Sequence, residues 1–479
     1  METSRSMRYP PRSPRPLPPL ALLAWLLLSG ALLLPAPPLA GALPDPGDPC
    51  LAPGTDLEPL SLADLWALAR ERDAGFQAAA ERLEASEAVA RAASRSRFPV
   101  LEVDGLWNYG RRTSPGEERV LGVGPRSDLR LLSTWSLLDG GRNARARGAG
   151  ASRAATQAGA GAFALAWEAE VARSWSAARR AEAEAQALEE HHQALEALLP
   201  VVERRVAAGV EASWELRLLE ETRARGAARR AQALEARDAA RAELSALAGR
   251  CVTATTPPPG AGAFPAPGPT PPGGAEAMSS PAGNAPDPLS EHPALLQMER
   301  LAEARSAQAW AQANQGRWNL SLVGGAGPTR SRAFDPDPVE YEYLAGVAGQ
   351  FRLDLAGVAR QERQAGEAEA RALRAEADRL REAHLREAAT LDAELARMGE
   401  RGSALERETV GTEATLEAAR MRWAAGVDGW QQVIQALERR LAATLAHTSW
   451  EEAFRLALIR RAELDDRLPA LATQLEAVR

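Results

Sequence analysis

Histidines, cysteines and a glycine-rich stretch are the places where this sequence could hold chemistry, and none makes a site. The five histidines include one adjacent pair, His191-His192. Neighbours on a helix point in different directions, so this pair is a poor metal chelate. No Ser/His/Asp or Cys/His set for nucleophilic catalysis emerges. Gly324-Gly325-Ala326-Gly327 has no lysine to hold a phosphate and reads as a turn; every basic residue in the chain is arginine. Asp and Glu are scattered over helical patterns, where they solubilise. The sequence therefore predicts no enzyme, no cofactor and no metal site. The two cysteines, Cys50 and Cys251, are too far apart in sequence to be a metal motif. In an oxidising compartment they are a candidate disulfide, with two separate thiols as the alternative.

The compartment is set by the N-terminus. Arg5, Arg8, Arg12 and Arg15 precede an apolar run from Leu20 to Leu34. Ala40-Gly41-Ala42 follows as a small-residue cleavage site. This order predicts a secretory signal over residues 1–42, the alternative being an uncleaved anchor. Gly47-Asp48-Pro49 lacks the small and apolar residues that would mark Cys50 for lipidation. The chain carries a formal charge of −7 at pH 7, which gives no basic footprint for nucleic acid. No later run is long and apolar enough for a membrane-spanning helix, so any crossing must be made by a β-barrel.

The positioning elements come in two copies. Proline and glycine crowd residues 256–288, predicting a linker (252–289) between a first unit (61–251) and a second (290–463). An N-terminal segment (43–60) and a C-terminal tail (464–479) flank them. Leu101, Val103 and Gly105 recur as Leu320, Leu322 and Gly324. Ala207-Ala208-Gly209-Val210 recurs as Ala424-Ala425-Gly426-Val427, at almost the same offset. Order and offset together indicate an internal duplication.

Each unit opens with a helical run, Ser61 to about Arg97 and about Ser290 to Gln315. Period-two alternation follows. Leu101, Val103, Trp107 and Tyr109 oppose Glu102, Asp104 and Asn108; Leu129, Leu131, Trp135 and Leu137 oppose Asp128, Arg130, Thr134 and Ser136. In the second unit Trp318, Leu320 and Leu322 oppose Asn319 and Ser321, and Tyr341, Tyr343, Val347 and Phe351 oppose Glu342 and Gln350. Four strands of about ten residues with aromatics near their ends suit one face in lipid and one in a wet lumen, with four edge strands of a soluble sheet as the equal alternative. The intervening stretches, 110–127 and 326–340, are expected to be loops. The rest is built of strong helix formers: Arg142 to Ala208 and Val358 to Ala425, each about 100 Å long at 1.5 Å per residue, with return arms Ser213 to Ala248 and Trp430 to about Ala462. Helices of that length must pack side by side as coiled-coil hairpins.

This layout resembles the TolC-like outer-membrane efflux proteins over roughly Ser61 to Glu463. Ser96-Arg97-Phe98-Pro99 is similar to the family's helix-to-strand junction, and Trp135-Ser136-Leu137-Leu138-Asp139-Gly140-Gly141-Arg142 to its strand-to-helix junction. Arg205-Val206-Ala207-Ala208-Gly209-Val210-Glu211-Ala212-Ser213 resembles its periplasmic tip, and Glu291-His292-Pro293-Ala294-Leu295 the start of a repeat. Trp318 stands where the second strand would begin with proline, and Leu355-Ala356-Gly357 is a weak version of the second junction.

The resemblance implies an α+β membrane channel: an α-helical barrel of hairpins, with four strands per chain contributing to a trimeric 12-strand β-barrel. It implies a passive duct of a tripartite efflux or type I secretion system, located in the outer membrane of a Gram-negative bacterium and reaching into the periplasm. The implied partners are two further copies of the chain, outer-membrane lipid, a periplasmic adaptor and an inner-membrane pump. The alternatives are a periplasmic adaptor or a soluble coiled-coil scaffold without a pore. Gly209, Val210, Glu211 and Ser213 at one tip, and Gly426, Val427, Asp428 and Gly429 at the other, are the implied gate and docking residues. Leu101, Val103, Trp107, Trp135, Trp318, Leu320 and Phe351 are the expected lipid-facing strand residues.

Overall fold

The computed structural model describes residues 58–113, 120–254, 289, 291–315, 317–331, 340–351, 354 and 356–477. The expected signal segment, Cys50 and nearly all of the proline-rich linker lie outside the described residues.

The first repeat runs β1 (Glu58–Leu60), α1 (Leu62–Arg72), α2 (Ala74–Arg95), β2 (Val100–Thr113), β3 (Val120–Asp139), α3 (Arg142–Ala207), α4 (Ser213–Ala248) and β4 (Val252–Ala254). The second runs α5 (Pro293–Asn314), β5 (Trp318–Ser331), β6 (Glu340–Phe351), α6 (Val358–Ala424), α7 (Trp430–Asp465) and α8 (Leu468–Ala477). At 66 and 67 residues, α3 and α6 are each about 100 Å long, and α3 passes through Pro200 as one helix.

The opening helical run is two helices. Asp73 adopts an extended backbone between them and its carboxylate does two jobs. Oδ1 accepts from the Gly75 N–H at 2.5 Å, and Oδ2 accepts from the Trp167 indole at 2.7 Å. An Asx cap thus competes with helix continuation, and a tryptophan far along the chain holds the break in place.

Helix α3 is the shared wall. It packs against α2 and α5 in its strand-proximal part, and against α4 and α7 further on; α6 packs on α5 and α7. One core gathers Leu62, Leu65, Trp66, Trp175, Leu244, Val252, Ile459, Leu468 and Leu475 about the middle of α3. It is closed by β1, which pairs in parallel with β4 (Glu58 opposite Val252), and by α8. The predicted tail therefore contains a packed helix, and the start of the predicted linker contains a strand. Arg179 donates to the Leu475 carbonyl of α8. Arg455, 1% exposed, bonds Ser176 Oγ at 3.2 Å and meets Glu451 at 3.6 Å, so its buried charge is partnered. A second core near the far end joins Leu195, Leu198 and Val202 to Leu219, Leu416, Trp430 and Val433.

Strands β2, β3, β5 and β6 form one antiparallel sheet in that order. The expected loops are partly strand: β2 reaches Thr113, β3 starts at Val120 and β5 reaches Ser331. Pro125 and Pro328 lie within these extensions, opposite Tyr109 and Tyr341. Proline and glycine lower intrinsic strand preference, but ladder pairing with a neighbour carries the strand through.

Gly402 lets α6 approach α7. A Cβ there would collide with the Trp450 ring, whose indole donates to the Met398 carbonyl at 2.9 Å. Gly402→Leu is expected to cost about 1–3 kcal/mol through overpacking, read as a lowered unfolding midpoint; an unchanged midpoint would contradict this close approach.

Candidate functional site

The sheet is built so that one face is apolar across all four strands. In antiparallel ladders directly paired residues share a face. The register pairs Leu101 with Ser133, Val103 with Leu131 and Gly105 with Leu129. It carries the same face across Trp135–Leu322 and Leu131–Ala326, then Leu322–Val347, Ala326–Tyr343 and Trp318–Phe351. A bulge between Ser136 and Leu138 leaves Leu138 opposite Leu320, which keeps Leu320 on this face. Leu101 and Val103 are each 69% exposed and Phe351 66%. Leu101, Val103, Trp135, Trp318, Leu320 and Phe351 share this face by register, and Trp107 pairs with Ser127 in the ladder. The other face carries Glu102, Asp104, Arg130, Thr134, Ser136, Asn319, Ser321 and Gln350, with the aliphatics Val100, Leu132, Val323 and Leu344 among them. Within this sheet β2 and β6 are edges.

Junctions tie the sheet to the helices. The Trp135 indole donates to the Arg97 carbonyl at 2.8 Å, fixing an aromatic at the end of the apolar band. Asp139 accepts from the Gly141 N–H at 2.9 Å and pairs with Arg145, while Arg142 donates to the Ser136 carbonyl at 2.8 Å. In the second repeat, Asp354 accepts from the Val358 and Ala359 N–H groups at 3.0 and 2.9 Å. The weaker sequence version of this junction therefore keeps a carboxylate on the orphan donors of a helix N-terminus.

The two tips are near copies. Gly209 and Gly426 have φ of 72° and 73°, the left-handed conformation that glycine adopts without a Cβ penalty. The Val210 N–H reaches back to the Arg205 carbonyl at 3.0 Å, and the Val427 N–H to that of Arg422 at 2.9 Å, a Schellman-type end to each long helix. Val210 and Val427 are 64% and 70% exposed. Glu211 and Asp428 turn inward: each lies 2.9 Å from the Nε of an arginine in its own turn, Arg205 and Arg422. The Glu211 contact is an ion pair without hydrogen-bond alignment, since Arg205 Nε has no hydrogen-bond partner. Ser213 opens α4 on the exposed side, and Gly429 is the extended N-cap of α7.

Sequence reasoning missed the link between the tips. The Trp430 indole, buried to 1% exposure, donates to Glu215 Oε2 at 3.1 Å, and the Arg205 guanidinium lies 5.8 Å from the centre of the Trp423 ring. The available signal was a tryptophan on each side of a glycine-bearing helix end.

His191 and His192 diverge as expected, toward Glu438 at 3.5 Å and Glu196 at 3.3 Å. No group of three or more His, Cys, Asp or Glu able to hold a metal occurs among the described residues. Cys251 is disulfide-bonded; Cys50, the only other cysteine in the sequence, lies outside the described residues.

A four-stranded amphipathic sheet with open edges is thus mounted on hairpins about 100 Å long. Residues 65–250 match the family model described as outer membrane efflux protein. The fold matches the outer membrane protein VceC of Vibrio cholerae (TM-score 0.68, 18% identity, covering 84% of this chain and 95% of that one). It matches the CmeC outer membrane channel of Campylobacter jejuni (0.68, 12%, covering 93% and 97%), and the MtrE outer membrane channel of Neisseria gonorrhoeae in its open state (0.66, 19%, covering 87% and 89%). No curated protein matches in sequence. The resemblance to the TolC-like outer-membrane efflux proteins is borne out by the family match to the first repeat and by the fold across both.

Burial pushes His191, His292 and His384 below the ordinary histidine value of 6.5. A histidine depressed in the fold binds its proton more readily when unfolded, so its stabilisation is present above pH 6.5 and lost as pH falls toward the folded value. The expected outcome is an unfolding temperature that declines from pH 7 downward through this window, with a shallower decline in His191→Gln. Identical pH profiles for parent and variant would refute the His191 contribution.

Proposed function

We propose that this chain is the outer-membrane duct of a tripartite efflux or type I secretion system, a passive conduit for small molecules, metals or proteins. The observation that carries this reading is the continuous apolar face running in register over four strands, attached to helices about 100 Å long. The strands of 14, 20, 14 and 12 residues exceed the roughly 9–11 residues a tilted strand needs to cross a bilayer. Leu101, Val103, Trp107, Trp135, Trp318, Leu320 and Phe351 would meet lipid, with Trp135, Trp318 and Phe351 at the helix-proximal rim as an aromatic girdle. Four strands cannot close, since bacterial barrels begin at eight, and hydrocarbon leaves an open strand edge unsatisfied. Three copies supply twelve strands and pair β2 of one with β6 of the next. A soluble scaffold has no need of such a face, and a periplasmic adaptor would carry a single hairpin.

The tips are the proposed docking points for the periplasmic adaptor, which in turn contacts the inner-membrane pump. Val210 and Val427 present the apolar contact there. The inward ion pairs of Glu211 and Asp428 favour a role in shaping the turns, so recognition falls to the valines and the exposed residues beside them. In mild detergent the parent protein and a Val210→Asp/Val427→Asp variant should both have the mass of three subunits. The variant should lose export and adaptor capture. A stable monomer would sink the barrel; normal export with normal capture would sink the docking role.

We also infer a Cys50–Cys251 disulfide. The β1–β4 pairing supports it, because it brings the chain shortly after Cys50 beside the residues that follow Cys251. Such a bridge staples the N-terminal segment to the end of the first repeat, and losing it should cost about 2–4 kcal/mol. Peptide mapping without reductant should recover the two cysteines in one linked pair; free thiols at both positions would overturn this.

A further inference from the structure

Between the two cores, α3 and α7 leave a gap. On α3 the central core ends at Ala178 and the distal core resumes at Leu195. In that interval the two helices meet through Ala183 and Ala187 of α3 and Thr444 and Thr448 of α7. Side chains this small do not fill the roughly 8–10 Å between packed helix axes. The result is a groove of about 220 Å³. Leu437, Leu441 and Thr448 are buried and form its floor, whereas Gln186 and Glu190 are exposed and form its rim. An apolar cavity of roughly 150 Å³ already accepts benzene, so the groove has room for a body of about six carbons.

We propose that this groove binds a small aliphatic ammonium ion, with its hydrocarbon body on Ala183, Ala187 and Leu441 and its charged head at Glu190 and Thr444. The polar groups set the sign of the ligand. Arg440 stands between Glu190 of α3, at 3.5 Å, and Glu413 of α6, at 3.8 Å. Both distances exceed the roughly 2.7–2.9 Å of a tight charged hydrogen bond, and two carboxylates share the one guanidinium. Glu438, the next carboxylate along α7, already has Arg229 at 3.7 Å. This end of the groove therefore carries negative charge in excess. An anion drawn to Arg440 meets two carboxylates; a cation finds them as partners. The hydroxyls agree. Thr444 and Thr448 donate to the carbonyls of Arg440 and Thr444 at 2.9 and 3.0 Å, so toward a ligand each can only accept, and a primary ammonium is all donor. Thr444 lies one turn from Arg440 on the same helix, which puts its hydroxyl at the Glu190 end. The site lies within the helices of one chain and does not rest on the transport reading.

The test titrates cyclohexylammonium into the full-length detergent-solubilised protein by calorimetry, with cyclohexanecarboxylate as the anion of the same body. One cyclohexylammonium per chain is expected, and no binding of the carboxylate. Glu190→Gln removes the charge at an exposed rim position and should weaken binding about tenfold, the share of one charge-assisted hydrogen bond. Ala187→Leu, which fills the groove, should abolish binding. Glu196→Gln removes a carboxylate of the same helix that does not line the groove, and should match the parent. Because Glu190 is exposed, the test does not depend on refilling a helix seam. Equal affinity in the parent and Glu190→Gln, carboxylate bound as tightly as ammonium, or no binding to the parent would overturn the proposal and leave a groove occupied by water alone.

Discussion

The packing of α3 along its length is the interaction on which the rest of the structure depends. Its buried positions are Ala144, Gly148, Ala151 and Ala155 near the sheet, then Trp175 and Ala178, then Leu195, Leu198 and Val202 near the tip. Small residues let α5 of the second repeat approach closely in the first stretch, where a Cβ on Gly148 would touch Ala307 and the Ala304 carbonyl. Larger residues fill the central and distal cores, where α1, α4, α7 and α8 converge. One helix thereby fixes the second repeat relative to the first, and with it the relative positions of the strands that leave each repeat.

That coupling reaches both ends by different means. At the sheet, backbone pairing between β3 and β5 joins the repeats, and aspartates at the junctions hold each long helix where its strand ends. At the tips, side chains do the joining: Trp430 bonds Glu215, and Arg205 reaches toward Trp423. Backbone pairing is strong and repetitive, whereas a few side-chain contacts can be exchanged at modest cost. The tips are thus the end at which the two hairpins are joined by the fewest contacts, and the end where Val210 and Val427 stand exposed.

Charge is distributed to the same purpose. The long helices pair much of their charge along and between themselves, as with Arg180 to Glu184 and Glu452, or Arg461 to Asp392 at 2.7 Å. Exposed pairs of this kind add little stability individually. They keep long helical surfaces hydrated while apolar contacts set the register.

The sequence by itself determined what depends on neighbours along the chain. Ser213–Ala248 was legible to the residue because strong helix formers dominate from one glycine-bearing turn to the next, Gly226 among them notwithstanding, and the tips were legible because Gly209 and Gly426 mark left-handed helix ends. The alternation from Leu101 to Trp107 and from Trp318 to Leu322 identified the strands and their apolar face, since side-chain direction in a strand is a local property. Only the tertiary structure decided what depends on partners distant in sequence. Strands continue through Pro125 and Pro328 because an adjacent strand supplies the ladder. The opening helix breaks at Asp73 because Trp167 and a local cap favour the break. Glu211 and Asp428 point inward because an arginine six residues earlier is folded back to meet each of them. His292 and His384 lie far apart in the sequence, and no spacing rule links them. They meet because α5 packs along α6.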